Sequence, residues 1–66
     1  MTVAVDQAYA AKWEIDGARG HLDTAACQLT DAVGYLDGAR QTRTQEILDH
    51  LTAVLANLDR LREVLS

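Results

Sequence analysis

Sixty-six residues bound this chain to one small domain (1–66), near the size at which a single hydrophobic core is marginal without disulfides, metal or association. A formal net charge of −4 argues against phosphate-backbone binding and against attraction to anionic membrane surfaces, so neither nucleic acid nor membrane is expected as a partner. Cys27 is the only cysteine, which excludes an internal disulfide framework. A lone thiol, no apolar run near the ~18 residues of a membrane span and no basic-then-apolar leader together predict a cytoplasmic location.

The chain lacks proline and phenylalanine and is rich in alanine and leucine, both strong helix formers, so an all-α fold is expected. Written in sevens from Ile15 it reads IDGARGH, LDTAACQ, LTDAVGY, LDGARQT, and the preceding AYAAKWE keeps the phase. Ile15, Leu22, Leu29 and Leu36 alternate with Ala11, Ala18, Ala25, Ala32 and Ala39 at the 3.5-residue spacing of a coiled-coil seam. Asp16, Asp23 and Asp37 follow the large residue, as solvent-facing positions would. This predicts a long first helix over about 3–37.

After Leu36 the phase slips: seven residues on stands Arg43, and the next large apolar residue is Ile47. A turn is therefore expected at 38–42. Gly38 can adopt the left-handed conformation that ends a helix, and Thr42 with Gln45 reads as a capping box. The second helix, about 43–65, carries Ile47, Leu51, Val54, Leu58, Leu61 and Leu65, widened by Leu48, Leu55 and Val64. That stripe is broader than a two-helix seam requires and implies contact with at least two neighbours. Glu46 and Asp49 near its start, and Arg60 and Arg62 near its end, suit the helix macrodipole.

Two other arrangements are compatible with the pattern. A straight helix could pass through 38–42 with a stutter. Alternatively, Asp16-Gly17-Ala18-Arg19-Gly20 resembles Asp37-Gly38-Ala39-Arg40-Gln41 twenty-one residues later, and if both are turns the chain becomes a compact three-helix bundle with a break at 16–20. Against a break, the seam passes through Ile15, Ala18 and Leu22 without losing phase. The favoured reading is a helical hairpin that dimerises into an antiparallel four-helix bundle.

In that hairpin the first helix outruns the second by about a dozen residues, leaving Val3, Val5, Ala8, Tyr9, Ala11 and Trp13 without cover inside the chain. Exposed apolar residues of this kind mark contact surfaces, and Trp and Tyr are enriched at binding hot spots. A homodimer would cover them. The face opposite the seam is nearly all small: Ala10, Trp13, Gly17, Gly20, Thr24, Cys27, Asp31, Gly34 and Gly38. An interior helical glycine costs roughly 1 kcal/mol relative to alanine. Either a partner backbone approaches here and offsets that cost, or this is a weakly selected solvent face. The candidate protein-interaction residues are Tyr9, Trp13, Gly17, Gly20, Thr24, Cys27 and Gly34.

Chemistry is sparse. Glu46, Asp49 and His50 share one helical face, but the Glu-x-x-His spacing that bundle metal sites repeat on several helices is missing. His21 and Cys27 are too loosely spaced for a thiolate pair. There is no nucleophile motif or phosphate loop. No catalytic residue, metal ligand or cofactor is assigned, and an enzyme is not expected. The sequence predicts a small non-enzymatic helical interaction protein that forms a homodimer, binds a protein partner of unstated identity, or does both. Alternatives are a metal- or ligand-binding bundle and, since the first thirty-eight residues hold six acids against two bases, an acidic inhibitor that mimics nucleic acid.

Overall fold

In a computed structural model, which describes residues 3–65 of the chain and the side chains of 7–65, two helices form an antiparallel hairpin. Helix α1 spans Val3–Tyr35 and helix α2 spans Gly38–Leu65. Helix α1 runs unbroken through 16–20, so the three-helix arrangement does not occur. The continuous heptad phase across Gly17 and Gly20 outweighs their low helix propensity, because a break there would cost the packing of Ile15 and Leu22 against α2.

The turn is tighter than the expected 38–42. It occupies Leu36 and Asp37 alone. Leu36 donates its N–H to the Val33 carbonyl at 3.3 Å, a final tightened turn of α1. The Asp37 carbonyl accepts the N–H of Gln41 at 3.3 Å, so Asp37, and not Thr42, opens the next helix. Gly38 has φ 60, the one left-handed residue among those described, which lets the chain reverse within two residues. The side-chain amide of Gln41 also donates to the Val33 carbonyl, at 3.1 Å, a second bond that ties the end of α1 to the start of α2. The expected capping box is absent: the Thr42 hydroxyl donates back to the Gly38 carbonyl at 3.3 Å, as a threonine inside a helix does, and Gln45 donates to Asp49 Oδ1 at 2.9 Å. Because α2 begins five residues early, α1 with 33 residues exceeds α2 with 28 by far less than a dozen, and Ala8 and Ala11 are half-covered. Val3 and Val5 lie outside the described side chains.

The two helices meet along half-buried Ile15, Leu22 and Leu29 of α1, Leu36 of the turn, and Leu48, Leu51, Leu55, Leu58 and Leu65 of α2. Among the described residues none is buried. Two rods side by side cannot enclose a side chain, and the dimensions say the same: the molecule measures 57 × 15 × 11 Å with a radius of gyration of 15.8 Å, where a compact chain of this length would have about 11 Å. Its accessible surface is 5163 Å², while a folded monomer of 7.2 kDa is expected to expose about 4,100 Å².

Candidate interaction surface

The positions of the apolar residues follow from the heptad phase and are fixed by two ion pairs. Arg19 Nε donates to Asp59 Oδ1 at 2.5 Å and its Nη2 to Oδ2 at 3.3 Å, while Arg62 Nε donates to Asp16 Oδ1 at 2.5 Å. Each helix thus contributes an Asp-x-x-Arg unit, 16–19 and 59–62, and antiparallel packing crosses them acid to base. All four side chains remain substantially exposed, so the pairs set register more than they add stability. The guanidinium of Arg19 holds the Asp59 carboxyl below the usual aspartate value by its hydrogen bond, against the opposing effect of partial desolvation and aided by its charge and that of Arg62. Arg19 and Arg62 are shifted up chiefly by the hydrogen bonds to Asp59 and Asp16, respectively.

These pairs mark one side of the plane that contains the two helix axes. On a right-handed helix the positions one residue before Arg19 and two residues before Asp16 in the heptad cycle lie on the other side, and the same holds for Arg62 and Asp59 of α2. That other side carries the alanine row Ala11, Ala18, Ala25, Ala32 of α1 beside the row Ile47, Val54, Leu61 of α2. Ala18 is exposed, and Ile47, Val54 and Leu61 are 49%, 44% and 46% exposed. Tyr35 and Val64, exposed at 90% and 80%, lie one step further round the same side. Leu48 and Leu55, which the sequence pattern assigned to the margin of the stripe, are half-buried together with Leu51, Leu58 and Leu65. Ile47, Val54 and Leu61, assigned to its centre, form its open flank.

The residues selected from sequence sit elsewhere. Tyr9, Trp13, Gly17, Gly20, Thr24, Cys27 and Gly34 are all exposed on α1, and from Trp13 to Gly34 they occupy the face turned away from α2. A Cβ added at Gly17, Gly20 or Gly34 would meet nothing within 4 Å, so nothing inside the hairpin requires glycine there. Thr24 donates to the Gly20 carbonyl at 3.1 Å. Sequence reasoning missed that the alanine and Ile/Val/Leu rows share one side. The signal was present in the spacing of Asp16, Arg19, Asp59 and Arg62, which fixes the side opposite.

Among the described residues no group of three His, Cys, Asp or Glu side chains is placed to hold a metal ion, and no helix is long and apolar enough to cross a membrane. Two shallow, open depressions flank the turn, one lined by Val33, Gln41 and Glu46 and the other by Leu36, Arg40 and Arg43. Neither gathers convergent polar groups around an enclosed volume. The chain matches no protein-family model, and no curated protein or solved structure is detectably similar to it.

Proposed function

We propose that the protein is a small non-enzymatic interaction module that works by helix packing and associates with itself. The observation that carries this reading is the lack of any buried residue among those described, in a chain whose two helices present apolar rows at regular spacing. Ordering a residue costs roughly 1.5 kcal/mol, and half-buried leucines along one seam return too little to hold 66 residues in place. The hairpin exposes about 1,000 Å² more than a folded monomer of its mass should, similar to the ~800 Å² that each partner contributes to a stable interface. Helix association that covers the apolar rows supplies the missing core.

Concentration dependence tests this. A self-associating hairpin has a melting temperature, followed by circular dichroism, that rises with protein concentration, because the folded state is linked to assembly by mass action. A melting temperature that stays constant over a hundredfold range of concentration would refute the reading.

A further inference from the structure

The open side of the hairpin is complementary to itself in only one of the two ways that a pair of copies can be stacked into an antiparallel bundle. We infer that the partner is a second copy of this chain, turned by 180° about the long axis of the hairpin, so that both turns lie at the same end of the dimer. The inference rests on the self-association proposed above and adds its surface and symmetry.

Three observations support it. The first is shape. The open side carries a small row, Ala18, Ala25 and Ala32, next to a large row, Ile47, Val54 and Leu61, both with a seven-residue repeat. Rotation about the long axis lays α1 of one copy over α2 of the other, so each alanine row meets the partner copy's large row. All these helix pairs can then keep one similar separation. Rotation about the perpendicular axis instead stacks α1 on α1 and α2 on α2. Alanine would face alanine while Ile, Val and Leu faced their own kind, and the two separations would pull toward opposite ends of the 8–10 Å range for packed helices.

The second is charge. Within Val3–Tyr35, α1 has five acids against two bases, while Gly38–Leu65 has four of each. Long-axis rotation alternates acidic and balanced helices around the bundle, whereas perpendicular rotation sets the two acidic helices side by side, where like charges repel. The third is area. The excess surface of the single hairpin is similar to one partner's share of a standard interface, and the ion-paired side, already occupied by Asp16, Arg19, Asp59 and Arg62, offers no comparable apolar row.

The position of the turns tests the arrangement. Ala39 is exposed next to the turn and Glu63 is exposed near the opposite end, and neither belongs to the Ile47, Val54 and Leu61 row. In a Cys27→Ser background, Ala39→Cys and Glu63→Cys each carry one spin label per chain, and label-to-label distances are measured by pulsed dipolar spectroscopy alongside the solution mass. The expected result is a dimer with distances of about 20 Å in both variants, while perpendicular stacking separates equivalent labels by about 40 Å, given a rise of 1.5 Å per residue over the helix. A dimer with long distances in both variants overturns the inference and leaves self-association standing. A folded monomer overturns both, and a larger closed assembly overturns the two-copy bundle.

Discussion

The two sides of the hairpin differ in how complete they are. On one side, Asp16, Arg19, Asp59 and Arg62 pair within the chain and remain wet. On the other, Ile47, Val54 and Leu61 stand about half exposed beside an alanine row. Charge pairs at a surface can be satisfied with water close by, but an apolar row gains free energy only when water is excluded. The contrast teaches that the ion-paired side sets how the two helices align, while the apolar side is where the proposed association would exclude water.

The strongest way to break this contrast is to place one charge on each side. Val54→Asp puts an unpaired carboxylate in the proposed contact and should cost several kcal/mol, enough to abolish the dimer in sedimentation. Thr52→Asp, two residues away on the ion-paired side, should leave the mass unchanged. Equal effects of the two would remove the distinction between the sides.

Leu55→Ala comes next, since Leu55 faces α1 and forms part of any core the bundle builds. Its expected cost is roughly 2–5 kcal/mol by denaturant titration. A value near zero would mean that the interhelical seam stays hydrated.

The glycines give effects of opposite sign. Gly34→Ala should stabilise by about 1 kcal/mol if its face remains outside the assembly, because an added Cβ meets nothing within the chain. If a partner backbone approaches Gly34, the same change destabilises the complex instead. Gly38→Ala should destabilise by roughly 1–2 kcal/mol because of its φ of 60.

The smallest effect belongs to the ion pairs. Asp59 has a depressed folded-state pKa, so its contribution is fully present above the ordinary aspartate value of 3.8 and is lost as pH falls through the lower folded value. Asp59→Asn should remove that part of the acid sensitivity seen in thermal melts, and about 0.5 M salt should mute the difference between variant and wild type.

The helical hairpin was legible in the sequence because the unbroken heptad phase of Ile15, Leu22, Leu29 and Leu36 marks one long helix and its slip after Leu36 marks a reversal. The turn was harder to place. Asp-Gly-Ala-Arg occurs at 16–19 within α1 and at 37–40 across the reversal, with Gly38 alone in the left-handed region. Local chemistry is identical in the two, so the next heptad position sets the outcome: Leu22 extends the apolar row after the first copy, and Arg43 interrupts it after the second. The expected cap at Thr42 failed because the helical bonding of α2 already begins five residues earlier, where the Asp37 carbonyl accepts the N–H of Gln41. The division of the broad α2 stripe into an inner row and an open row could not be read from α2 alone. It depends on the rotation of that helix against α1, which the crossed Asp-x-x-Arg units fix.

If the hairpin acquires its core from a second copy, folding and assembly are one event. Sedimentation equilibrium of the wild-type chain under conditions where circular dichroism reports folded helix tests this most directly. The expected result is a particle of twice 7.2 kDa that loses helicity as dilution dissociates it, and a stably helical species of 7.2 kDa would contradict it.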